Sequence, residues 1–138
     1  MIKLITGEKG TGKTKIIIDM MNEAVKSTNG NLVCIEKGAN LRTQISYKVR
    51  WCDTEYFKVE GFDAFYGFVA GMLAGNYDIK EIFVDGILKI GGRNYEELAD
   101  FLAKDASLSS LTGTNFTFTI STEKSNLPAR IYEVCEAE

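Results

Sequence analysis

Residues Gly7, Glu8, Lys9, Gly10, Thr11, Gly12, Lys13 and Thr14 follow the pattern G-x-x-x-x-G-K-T, and no other stretch limits the possible folds so sharply. Glycines in such a loop let successive backbone N–H groups turn inward around a phosphate. The lysine reaches the outer phosphates, and the closing hydroxyl coordinates Mg²⁺. This chemistry requires a strand before the loop and a helix after it. Lys3 to Thr6 supply a short apolar run, and an interior strand is predicted over Ile2 to Thr6. After the loop, Ile17, Met20, Met21 and Ala24 recur at the spacing of a helix with one buried face. That helix would aim its N-terminal dipole at a bound anion. Gly30, after Ser27, Thr28 and Asn29, predicts a left-handed cap at its end.

A length of 138 residues fits a single domain over 1–138, and 45% hydrophobic residues suffice for a core. The 16 basic and 19 acidic residues leave a net charge of −3, so nothing global favours nucleic acid or an acidic membrane; only a local basic patch stays open. Cys34, Cys52 and Cys135 are odd in number and lack zinc-type spacing, which fits unpaired thiols in a reducing compartment. There is no signal-peptide pattern, and no apolar run approaches the ~18–20 residues of a membrane span. The expectation is a soluble, cytoplasmic protein. Histidine is absent, so acid, base and metal chemistry must come from carboxylates, hydroxyls and lysines.

Downstream of the first helix, Asn31 to Ile35 reads as the second strand of a βαβ unit ending at Glu36, which implies a parallel sheet. From Ile45 to Trp51 apolar and polar residues alternate, predicting a half-buried strand near a sheet edge, with a turn over Cys52 to Glu55 and another extended piece over Tyr56 to Val59. Phe65, Phe68, Val69, Met72 and Leu73 mark a core-facing helix with Asp63 as cap and Gly75 as stop. Glu81 to Asp85 is a continuous apolar strand ending in a carboxylate. Asp85 is thereby placed at the carboxyl edge, where it can meet the Mg²⁺ held by Thr14; an Asp-Gly turn at an exposed strand end is the plainer alternative.

Asn94 and Glu97 resemble a capping box, and Leu98, Phe101 and Leu102 continue one helical face. The chain breaks over Leu111 to Asn115. Phe116, Phe118 and Ile120 then alternate with Thr117, Thr119 and Ser121 as a strand, at whose end Ser121 or Thr122 either senses a terminal phosphate or merely closes the element. Arg130 to Cys135 reads as a short last strand or a helical turn beyond Pro128.

The loop, its helix and the I-F-V-D strand look like a P-loop nucleoside-triphosphatase core. More closely, G-E-K-G-T-G-K-T-K from Gly7, I-D-M-M-N-E-A-V from Ile18, D-A-F-Y-G-F from Asp63, Y-D-I from Tyr77 and V-D-G-I-L-K-I from Val84 resemble a family of small, largely uncharacterised bacterial P-loop proteins. Some of these carry a label taken from pilus-retraction ATPases, which are longer, two-domain hexameric motors with functional histidines. This chain has neither the length nor a histidine, so no motor function is implied.

The resemblance implies a three-layer α/β fold with a mostly parallel central sheet, a minimal RecA-like core, binding ATP with Mg²⁺. Gly7, Gly10, Thr11, Gly12, Lys13, Thr14 and Lys15 form the nucleotide-binding set, and Thr14 and Asp85 the metal set. A Ras-like GTPase would show D-x-x-G and N-K-x-D, neither of which is present. A partitioning ATPase would carry lysine where Glu8 stands. Many hydrolytic ATPases place a glutamate directly after the metal-strand aspartate, and here that residue is Gly86. Lys13 and Glu36 are therefore the catalytic candidates, although the plainer reading of Glu36 is a solvated strand-end charge. Arg130 is a candidate cation for a neighbouring subunit. The expected function is a slow Mg-ATPase or nucleotide-dependent switch, alone or with a protein partner or second copy; a non-hydrolysing adaptor and, less favoured, a small-molecule kinase are the alternatives.

Overall fold

The computed structural model describes residues 1–137. In chain order these form β1 (Ile2–Gly7), α1 (Lys13–Ser27), β2 (Asn31–Glu36), β3 (Val49–Asp53), α2 (Phe62–Gly75), β4 (Ile79–Asp85), α3 (Ile87–Gly91), α4 (Tyr95–Thr112), β5 (Asn115–Ser121) and β6 (Glu136–Ala137). The six strands make one sheet in the order β3-β2-β4-β5-β1-β6, and every ladder is parallel. Parallel neighbours need long crossovers, and here helices supply most of them. As expected, β1 lies inside the sheet, between β5 and β6.

Side-chain alternation sorts the core into two layers. Leu4, Val33, Ile35, Ile82, Val84, Phe116, Phe118 and Ile120 face α2, α3 and α4. Ile5, Leu32, Cys34 and Phe83 face the other way, against Ile17 and Met21 of α1 and against Leu41. Covered on both faces, the strands are near-continuous apolar runs, as parallel sheets require. Among the described residues no helix is long and apolar enough to cross a membrane.

Several boundaries differ from the sequence expectations. The edge strand does exist, but β3 begins only at Val49; Tyr47, which belongs to the alternating run, is 92% exposed. Tyr56 to Val59 is a turn rather than an extended piece, with Lys58 in the left-handed region at φ 58°. Gly30 is not a left-handed cap, since Thr28 closes α1 in an extended conformation. What demands glycine there is crowding: a Cβ at Gly30 would sit 2.8 Å from the Asp78 carbonyl. Asp63 lies in the first turn of α2, whose cap is Gly61, and Gly75 is the helix's last residue. Asn94 does cap α4, its side chain accepting from the Glu96 and Glu97 N–H groups. Beyond β5 come two 3-10 turns, Lys124–Asn126 and Ala129–Glu133, and only then β6.

One polar group breaks the pattern of the core. Asp105 of α4 is fully buried, and neither carboxylate oxygen has a hydrogen-bond partner among the described residues. Burial pushes its carboxyl up to about 8, against the pull of the Met1 ammonium; burial, with a smaller contribution from the Asp105 charge, raises the Cys135 thiol to about 12. Because the folded state holds this proton more tightly than the unfolded chain, folding stability falls as pH rises from about 4 towards about 8. Asp105→Asn should flatten that slope and raise stability by about 1–3 kcal/mol at pH 8 while changing little at pH 5. Urea unfolding at the two pH values measures both effects.

Candidate functional site

The loop between β1 and α1 is held open by backbone geometry. Gly10 and Gly12 both stand at φ +87°, where a Cβ would be strained although nothing crowds it. Gly12 caps α1, and the first helical bond of the turn runs from Ile16 N to the Gly12 carbonyl at 3.2 Å. The N–H groups of Lys13, Thr14 and Lys15 thus precede the intrahelical ladder and face the loop's concavity with the positive end of the helix. Lys13 is buried, and its Nζ donates to the Glu8 carbonyl at 2.7 Å; the Thr11 hydroxyl donates to the same oxygen at 2.8 Å. Gly7 is anchored from below, its N–H donating to the Thr122 carbonyl at 2.9 Å. The Lys15 side chain turns outward into an exposed ion pair with Asp19 at 3.0 Å, leaving only its backbone for the loop.

Strand parity places the metal candidates together. Phe83 faces α1, so Asp85, two residues on, emerges on the same side. Its Oδ2 lies 3.3 Å from the Thr14 hydroxyl. Asp85 is fixed by Thr119, whose hydroxyl donates to Oδ1 at 2.7 Å and accepts from Gly86 N at 2.7 Å. Burial lowers the Lys13 pKa, while the charges of Asp85 and Glu8 act to raise it. Among the described residues no group of three or more His, Cys, Asp or Glu converges into an all-protein metal cage. A hydroxyl beside a carboxylate is instead a hard oxygen pair suited to Mg²⁺, which takes few protein ligands and completes its shell with phosphate and water.

These residues border a cleft of about 610 Å³, within the range of small-ligand sites. Ser121 reaches it, in register with Gly7, whereas Thr122 is buried behind the loop and bonded to Tyr95 at 2.8 Å. Three polar residues given no role from sequence also face it, Thr119, Lys89 and Arg93, together with apolar Leu88. For Thr119 a signal existed. It lies two residues before Ser121 on a strand flanked on both sides, so its polar face had to be buried and bonded.

Glu36 has a different environment from either sequence alternative. It is only 2% exposed, and its oxygens accept from the N–H of Asn40 (3.1 Å), the N–H of Leu41 (2.8 Å) and the Trp51 indole (2.8 Å). These bonds shape the loop after β2 and take up three of the carboxylate's roughly four acceptor positions, two on Oε2 and one on Oε1. Arg130 is likewise committed within its own chain, to Glu96 at 3.0 Å and Asp100 at 2.9 Å.

The chain matches no known protein-family profile, and no curated protein matches it significantly. The geometry therefore carries the functional reading. Glu36→Ala should lower the unfolding free energy by about 1.5–3 kcal/mol, the scale of charge-assisted hydrogen bonds. Guanidinium unfolding measures it; an unchanged midpoint would return Glu36 to the list of candidate bases.

Proposed function

We propose that the chain binds Mg-ATP in this cleft and acts as a slow ATPase or nucleotide-dependent switch. One observation carries the proposal: the Gly7–Thr14 loop, the start of α1 and Asp85 converge on one face of the carboxyl edge, with Thr14 and Asp85 3.3 Å apart. In open α/β sheets that edge is where ligands bind. The interior position of β1, with β5 between it and β4, supports the finer assignment of a RecA-like P-loop core.

In this assignment the N–H groups of the loop and Lys13 hold the outer phosphates, while Thr14 and Asp85 hold Mg²⁺, which neutralises phosphate charge when bound. Thr119 keeps Asp85 aimed at Thr14. Slow turnover follows from what surrounds the site. Gly86 replaces the water-orienting glutamate, and Glu36 is occupied by three donors. The three cysteines, all buried and unpaired, favour a reducing setting such as the cytoplasm.

Lys13→Ala should weaken Mg-ATP binding by about one to two decades, from the loss of one charge-assisted contact worth about 1.5–3 kcal/mol, with the fold intact. Calorimetric titration provides the test. Equal affinities, or no binding by wild type at millimolar nucleotide, would replace this proposal with the non-hydrolysing adaptor.

A further inference from the structure

The wall of the cleft opposite the loop comes from α3 and the link to α4, and its charges are positive. Lys89 and Arg93 line it, so that Lys9, Lys13, Lys89 and Arg93 share one cavity with Glu8 and Asp85 in a chain of net charge −3. Neither Lys89 nor Arg93 makes an ion pair or side-chain hydrogen bond among the described residues, which leaves both head groups available to a ligand in the cleft. Cations gathered in a cleft raise the local concentration of anionic ligands.

Their placement is built into the backbone. Gly86 stands at φ +78° directly after Asp85, and the Lys89 side chain folds over it: Cδ lies 3.3 Å and Cε 3.8 Å from where a Gly86 Cβ would be. A side chain at position 86 would need the lysine stem to give by a few tenths of an ångström, on a left-handed backbone that already disfavours one. Arg93 follows Gly92 at φ +107° and directly precedes Asn94, whose capping bonds to Glu96 N and Glu97 N fix the start of α4. The charge type beside Asp85 is inverted, from a carboxylate that would polarise water to cations that stabilise phosphate oxygens.

We propose that Lys89 and Arg93 form a cationic clamp on the terminal phosphate of the nucleotide, supplied by the same chain that carries the loop. The proposal rests on the nucleotide assignment of the cleft. Hydrolysis joins a water oxygen to the γ-phosphorus as the bond to the β–γ bridging oxygen breaks. That oxygen keeps the electron pair and leaves on ADP, and the water protons depart with inorganic phosphate and solvent. Charge develops on the departing bridging oxygen and spreads over the oxygens of the transferring group, where two cations would stabilise it, and such electrostatic stabilisation needs no base. Turnover is then a property of the monomer, independent of protein concentration.

The test measures binding of Mg-ADP, with and without aluminium fluoride as a mimic of the transferring phosphoryl group, to wild type, Lys89→Ala, Arg93→Ala and the double variant. Wild type should bind the mimic complex at least about 100-fold more tightly than Mg-ADP alone. The double variant should keep its Mg-ADP affinity but lose that enhancement, and its phosphate-release kcat should fall by about 100-fold or more with KM little changed. Arg93→Lys should restore part of the enhancement. Retention of the full enhancement by the double variant, or its absence in wild type that does bind Mg-ADP, overturns the clamp alone. Failure of wild type to bind any nucleotide overturns the clamp together with the assignment beneath it. Both side chains are exposed, so thermal unfolding should be the same in all four proteins.

Discussion

The parallel register of the sheet decides what can meet at its carboxyl edge. Glu36 pairs with both Asp53 and Asp85, and Gly7 with Ser121, so the strands end nearly level. Since side chains alternate, the last residues of β1, β2, β3 and β4 all emerge on the α1 face. A slip of one residue in any ladder would turn a functional end residue towards α2 and α4. The nucleotide assignment thus depends on hydrogen bonds made along the whole length of β1, β5 and β4, well below the cleft itself.

Much of this was legible because the determinants are local. The glycine spacing from Gly7 to Thr14, the helical period after it and the apolar run into Asp85 each encode an element that tertiary packing then leaves in place. The difficulties arose where long-range contacts override local pattern. Ile45 to Lys48 alternate like a strand, but Asn22 of α1 engages this segment, its carboxamide oxygen accepting from Ser46 N at 3.1 Å, and the backbone bends before pairing starts at Val49. Gly30 has the sequence context of a cap, yet it is small because Asp78 and Lys80 cross it closely. Glu36 was readable as a strand-end acid, but its three donors come from residues 4, 5 and 15 positions away, which no period reveals. Lys89 and Arg93 were hidden for a similar reason: a five-residue helix, too short to show a period, carries the first to the cleft.

The acids at the strand ends divide their labour. Asp53 accepts from Gly38 N at 2.8 Å and Glu55 N at 2.9 Å, and Glu36 organises Asn40 and Leu41, so both build loops. Asp85 alone answers to hydroxyls, from Thr14 and Thr119, which leaves it room for a cation. Three neighbouring carboxylates would repel one another if all faced one solvent-exposed site; binding two of them to N–H groups disperses their charge into the backbone.

The Thr119 hydroxyl touches both Asp85 and Gly86 N, one residue on each side of the point where β4 becomes α3. It works as a pin through a joint. Ile87, Leu88 and Ile90 bed α3 in the core, so a tug on the Asp85 carboxylate cannot be absorbed by a slack linker. Lys89, carried on that stub with its stem packed over Gly86, is thereby held at a fixed distance from the carboxylate.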